Sequence, residues 1–315
     1  MSRRVLISGS VAYDTIMVFD GHFRDHILPE RVHMLNVAFL TPRLKREFGG
    51  CAANIAYTLQ GLGAQAVVLA TIGHDGEACI DRLAALGVDT TAIVRCEALF
   101  TAQAFITTDL ADNQITAFHP GAMSEGHQVS ASTAAAGGAA WAIVAPNGRA
   151  AMLSHARELT LAGVPWLFDP GQGLPMFDGA ELREFIEQAA AVAVNDYEAG
   201  LLTERTGWSE EEIASRVQAL IVTRGAEGSV LYESGRQQLI EAVPVDIPVD
   251  PTGCGDAYRG GLLFGLSAGW SWLDAARLGS LMGSVKIEYQ GAQNHPVDRA
   301  AICARFEALW GPRKW

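Results

Sequence analysis

Positive charge is scarce in this chain: 23 Lys and Arg stand against 35 Asp and Glu over 315 residues, a formal net charge of −12. Nothing in it supplies the basic surface that a phosphate backbone requires, so no nucleic-acid partner is expected. Cysteine is sparse too. The five (Cys51, Cys79, Cys96, Cys254, Cys303) are odd in number, scattered and never at metal-ligand spacing, which fits a reducing compartment. Long apolar runs are missing, and the weakly polar stretch 134–146 is too short and glycine-rich to span a bilayer. The apolar run after Met1-Ser2-Arg3-Arg4 is brief, soon meets Asp14 and shows no cleavage site, so it reads as a first strand rather than a signal peptide. A cytoplasmic protein without membrane contact is expected. Absent as well is any Gly-x-x-x-x-Gly-Lys-Ser/Thr, which excludes a P-loop enzyme.

What is present is globular. The chain is 49% apolar and 18% charged, and 33 glycines against 12 prolines point to tight turns rather than disorder. Its length allows one large α/β domain with an accessory piece, or two ordinary domains. Short continuous apolar runs suit strands buried on both faces: Val5–Ile7, Val67–Ile72, Trp141–Ala145, Val164–Phe168, Ala191–Val194 and Leu220–Thr223. Stretches of helical length separate most of them, the rhythm of a parallel sheet covered by helices. Two segments break the rhythm. Val32–Leu40 alternates, a similar pattern returns over Phe105–Phe118, and together they suggest one small separate sheet. His22 and His26 lie in residues 15–48, the irregular region that holds the first of these segments, at a metal-like spacing without a third ligand, and read as loop histidines.

Most of the chemistry lies in Asp250-Pro251-Thr252-Gly253-Cys254-Gly255-Asp256, which ends an extended segment and opens the nearly uncharged stretch 257–268. Its glycines let backbone approach a ligand, and the amides of Gly253, Cys254 and Gly255 would be unpaired donors at a helix start, an anion hole. Asp256 beside such a hole suits a base that takes a hydroxyl proton during phosphoryl transfer; a plain helix cap explains it equally. Asn54, an amide within an apolar helix predicted to end near Leu62, needs a partner, either a ligand hydroxyl or a backbone carbonyl. Asn195-x-x-Glu198 has the spacing of a capping box. Asp169-Pro170-Gly171 is a β-turn sequence, and Thr223–Gly228 a glycine-spaced turn able to present amides to phosphate.

The seven-residue motif at Asp250–Asp256 resembles the C-terminal signature of the ribokinase (PfkB) superfamily of sugar and nucleoside kinases. Phe48-Gly49-Gly50-Cys51-Ala52-Ala53-Asn54-Ile55-Ala56 resembles its N-terminal signature, and Phe118-His119-Pro120-Gly121-Ala122-Met123-Ser124 is similar to the bacterial adenosine kinases. The resemblance implies a ribokinase-like α/β fold: a doubly wound, mostly parallel sheet (1–14, 47–90 and 120–315) with a small β-sheet lid (15–46 and 91–119). It implies Asp256 as catalytic base with Gly253, Cys254 and Gly255 as the anion hole. Ser10, Asp14, Gly49, Gly50, Asn54, Phe118 and Gln172 would contact the nucleoside, and Asn195, Thr223, Arg224, Gly225 and Gly228 the nucleotide. Glu198 would act on Mg²⁺ through water. ATP is the implied cosubstrate, a monovalent cation a further implied cofactor, and a homodimer through the lid the implied assembly. The implied reaction is transfer of the γ-phosphate to the 5'-hydroxyl of adenosine, with another nucleoside or free sugar as the alternative acceptor and a non-catalytic nucleoside sensor as the remaining reading. There is one departure. Where those kinases carry an aromatic residue in the lid strand, this chain has Ala104, with Phe105 one place along and so on the opposite face.

Overall fold

The computed structural model describes residues 4–27, 36–111 and 113–315. The predicted apolar runs fall in one sheet: β1 (Arg4–Ser8), β4 (Gln65–Gly73), β8 (Trp141–Val144), β9 (Trp166–Phe168), β10 (Ala191–Asn195) and β11 (Ala219–Thr223). With β5 (Ile93–Cys96), β12 (Ser229–Glu233) and β13 (Arg236–Ile240) they form nine strands in the order β13-β12-β11-β10-β9-β8-β1-β4-β5. All neighbours pair in parallel except β11–β12 and β12–β13. Both faces are covered, which is why the strands lack polar alternation. Val5, Ile7 and Val68 join one core with α1 (Cys51–Gly61), α8 (Cys254–Ser267) and α9 (Trp272–Ile287). Leu6, Val67 and Leu69 join the other, with α4 (Arg149–Leu161) and α5 (Gly179–Gln188).

The second sheet has the order β3-β2-β6-β7, from β2 (Ala12–Val18), β3 (Arg43–Gly49), β6 (Ala102–Thr108) and β7 (Gln114–His119). It corrects two expectations. In the alternating stretch 32–40, residues 32–35 lie outside the described residues and 36–40 form no strand; Phe39 instead packs on Phe19 and Phe23, with ring centroids 4.9 Å apart in each pair. The strand lies later, in the charged Arg43–Gly49, whose first four residues are exposed. A strand whose first four residues face solvent leaves no apolar signature. Ile93–Cys96, expected with the lid, pairs with β4 at the edge of the large sheet.

Helix α8 lies between α1 and α9, and its glycines set how closely. A Cβ on Gly261 would stand 2.8 Å from the Leu278 carbonyl oxygen, and one on Gly265 2.8 Å from Ala275 Cα. Gly261→Val is therefore expected to destabilise the protein by about 1–3 kcal/mol through overpacking. Gly200→Ala, in a helix position with nothing within 4 Å, should stabilise it by about 0.4–1 kcal/mol. Urea denaturation of the two variants checks both signs.

Candidate active site

The sheet's strand ends and the start of α8 face a cleft of about 620 Å³. Its lining includes Asp169, Gln172, Asn195, Glu198, Thr223 and Asp256. Asp256, in the first turn of α8, accepts a 2.8 Å hydrogen bond from Asn54 Nδ2 in the first turns of α1. Asn54 Oδ1 accepts in turn from Gln293 Nε2 at 2.9 Å. The Asn54 partner in the fold is thus a carboxylate and a second amide, neither of the two the sequence suggested. Gln293, 3% exposed, was missed altogether, because nothing local marks a residue whose partner is 239 positions away.

Burial pushes Asp256 up to about 7; Asp169 and Asp14 add to the rise, while the Asn54 hydrogen bond and Arg259 oppose it. Asp169 is locked to Arg259 in a buried bidentate pair at 3.2 and 3.3 Å, and Arg259 also donates to the Ala193 carbonyl. Burial raises Glu198 as well, with Asp169 adding to the effect. Three carboxyls thus share one guanidinium, an arrangement that a hydrated divalent cation would relieve. Asn195 and Glu198 form the full capping box on α6 (Asp196–Thr206), which fixes the Glu198 carboxyl at the cleft. Among the described residues no group of three or more His, Cys, Asp and Glu side chains is placed to hold a metal ion directly; His26 packs on Phe19 and Phe39.

The anion hole differs in detail from the expectation. Gly253, at φ 78°, turns the chain into α8 with its α-carbon against Ala292, where a Cβ would stand 2.6 Å from the Ala292 methyl. This turn aims the Cys254 amide back at the Pro251 carbonyl, 3.1 Å away. Gly253 and Gly255 keep their amides for a ligand, and Cys254 does not. In the Thr223–Gly228 turn the amides of Arg224, Glu227 and Gly228 are used within the turn, and Gly225 and Ala226 are the remaining donors that line the cleft. Arg224 itself is outside that lining. The Thr223 hydroxyl donates to the Val194 carbonyl at 3.3 Å.

Asp14 lies in the lid sheet within electrostatic reach of Asp256. Burial, Glu47 and Asp250 push it up to about 6. Gly49 allows this, since a Cβ there would stand 2.4 Å from Asp14 Oδ2. Gly50, at φ 90°, has its α-carbon against Ser10, and the Ser10 hydroxyl accepts from the Cys51 amide at 3.0 Å. Asp14 is paired across the sheet with Ala104, and Ala104 with Phe118. The three therefore share one face, with the small Ala104 between the carboxylate and a phenyl ring that is 51% exposed. Phe105 is on the other face, as its one-residue offset requires. Gln172 lines the cleft with Asn195 and Thr223, not this row.

Residues 13–299 match the family model of the pfkB family carbohydrate kinases. The chain belongs to that family. A nucleoside kinase of Burkholderia thailandensis, solved in complex with inosine, is 52% identical and superposes with a TM-score of 0.88, covering 98% of this chain and 99% of its own. The same protein solved in complex with ADP-inosine gives 52% identity and a TM-score of 0.86 over 99% and 98% of the two chains. A nucleoside kinase of Methanocaldococcus jannaschii is 29% identical over 276 residues, 86% of this chain and 89% of that one. The large sheet with its four-stranded lid is accordingly the ribokinase-like fold, and family membership makes the protein a phosphotransferase. Among the described residues no helix is long and apolar enough to cross a membrane.

With Asp256 raised to about 7, a base there is active only when deprotonated. The kcat/KM is therefore expected to fall as pH drops below about 7, by about tenfold per unit, and more steeply below about 6 where Asp14 also protonates. Asn54→Leu removes a bond that holds Asp256 down, so the acid limb should move to higher pH. A limb that moves to lower pH would contradict this assignment.

Proposed function

We propose that the protein is an ATP-dependent nucleoside kinase that transfers the γ-phosphate of ATP to the 5'-hydroxyl of a purine nucleoside, with adenosine and inosine among its acceptors. One observation carries the reading: a desolvated carboxylate, Asp256, stands beside the free Gly253 and Gly255 amides at the end of a cleft, within reach of a second desolvated carboxylate, Asp14. Asp14 accepts hydrogen bonds from the vicinal ribose hydroxyls, and Gly49 leaves room for them at its carboxylate. Asp256 takes the proton of the 5'-hydroxyl as the oxygen attacks the γ-phosphorus in line. The Gly253 and Gly255 amides, at the positive end of α8, meet the charge on the transferring group. ATP lies along the cleft from Gly225 and Ala226 toward α8. Glu198 would hold the hydration shell of Mg²⁺, which when bound would neutralise charge on the phosphates.

Inosine enters because of Ala104. With a methyl group between Asp14 and Phe118, the base is held against one ring instead of between two, a contact that tolerates different purines. The inosine complex of the 52% identical nucleoside kinase supports this breadth. A homodimer through the lid is the assembly we propose, supported by the exposed apolar side chains Leu44, Phe105 and Ile115 and by the open edge strand β7. A monomer in light scattering at micromolar concentration would count against it.

ADP release from MgATP with adenosine, inosine, guanosine, cytidine, ribose and fructose 6-phosphate tests the acceptor. Turnover with the purine nucleosides and little with ribose is expected; turnover confined to a sugar would discard the nucleoside reading. Asp256→Asn should cut kcat by about 10²–10⁴-fold while calorimetry shows nucleoside affinity nearly unchanged. Retained turnover would refute the role of Asp256.

A further inference from the structure

The chain has three lysines, and one of them, Lys286 in the last turn of α9, is completely buried. Burying an ammonium is expensive unless it is paired, so its partners are informative. Lys286 Nζ donates to the Asp250 carbonyl at 2.7 Å and to the Tyr289 carbonyl at 2.9 Å, and lies 3.8 Å from Asp250 Oδ2. The Asp250 carboxylate meanwhile accepts from the Thr252 and Gly291 amides, each at 2.8 Å. The Val249 and Asp250 amides close on the Ile287 carbonyl at 2.7 and 3.0 Å. The end of α9 and the residues that lead into the anion hole are thus drawn together around one positive charge. Cys254, in the first turn of α8, and His295, against Thr58 of α1, both feel that charge. The donor set is oxygen only: two backbone carbonyls and a carboxylate at the negative end of a helix. That is also the set an alkali ion of ammonium size would take.

We propose that Lys286 is the tethered monovalent cation of this site: its ammonium fills the carbonyl cage beneath Asp250–Asp256, so the anion hole is formed without dissolved K⁺. Lys286 is a positioning residue, since it acts on phosphate through the loop it holds. The proposal rests on the kinase reading above and replaces the soluble monovalent cation that the resemblance implied. Arginine would not serve, because a planar guanidinium cannot enter a cage that fits a compact ion.

The test compares purified enzyme in about 0.1 M KCl and in about 0.1 M tetramethylammonium chloride, equal in screening but different in what can enter the cage. Wild-type turnover should agree within about twofold between the two salts, a difference too small to reflect loss of preorganised charge. Activation by K⁺ of about tenfold or more would overturn the proposal; this arm needs no variant. Lys286→Ala should lose about 10²-fold in kcat in the tetramethylammonium salt, the scale of a lost anion-hole contribution, and recover with K⁺ or Rb⁺ but not Li⁺. Full activity of the variant without any alkali ion would overturn the proposal. A thermal scan reads the cage without turnover. K⁺ should raise the Tm of Lys286→Ala and leave that of the wild type unchanged; a rise in the wild type would show the cage open to K⁺ and sink the idea. A wild type that phosphorylates no nucleoside in either salt would refute the proposed function while the thermal scan still decides the role of Lys286.

Discussion

A carboxylate kept out of water yet able to lose its proton is the constraint on which the rest of the site depends. Burial pushes the Asp256 carboxyl up, and the nearby Asp169 and Asp14 push the same way. The opposing influences are one hydrogen bond from Asn54 and the charge of Arg259. Asn54 is held by Gln293, and Arg259 by Asp169 and the Ala193 carbonyl. Arg259 shares α8 with Asp256, while Asn54, Gln293, Asp169 and Ala193 come from distant parts of the chain, so the acidity of one group is fixed by the packing of α1 against α8 and of both against the sheet. The scarcity of positive charge then makes sense locally. The cleft offers backbone amides and a helix terminus rather than free cationic side chains, and the guanidinium in its lining, Arg259, is already committed to a carboxylate.

Close packing is what makes that possible. Without side chains at Gly261 and Gly265, α8 comes near enough to α9 for the start of α8 to meet the end of α9. There the positive end of one helix and the negative end of the other are bridged by Asp250 and Lys286. The polar contacts of the site are thus the visible part of an apolar arrangement, and volume changes well away from the cleft are felt in it.

Much of this was legible in the residue order. Val5–Ile7 and Ala191–Val194 announce themselves because strands buried on both faces must be continuously apolar, and Asp250–Asp256 because a helix start built on two glycines is a local signal. Asn195 and Glu198 satisfy the capping box that their spacing predicts, and the offset of Phe105 from Ala104 puts the ring on the face opposite Phe118 as period-two geometry demands. What was illegible is non-local or unpatterned. Arg43–Gly49 looks like a charged loop because a lid strand exposed on its outer side has no need of apolar residues. Gln293 and Lys286 look ordinary because their meaning lies in partners brought to them by the fold. The Cys254 amide was read as free because a helix start implies it, and only the φ of Gly253 shows that this amide turns back on Pro251.

Among the described residues the chain passes between the two sheets four times, at 9–11, 50, 97–101 and 120, and none of these passages is a bare tether. The first carries Ser10 and ends beside Asp14, the second is Gly50 with its back to Ser10, the third ends at Thr101, whose amide donates to Asp75 Oδ1 at 2.7 Å, and the fourth follows Phe118. In thermodynamic terms, on the kinase reading proposed above, closure of the lid and occupancy of the face that carries Asp14 and Phe118 would draw on the same free energy, because both would be expressed through the same few backbone positions. Affinity for an acceptor and the population of closed enzyme would then be one quantity seen from two sides, and a change at these passages would retune both.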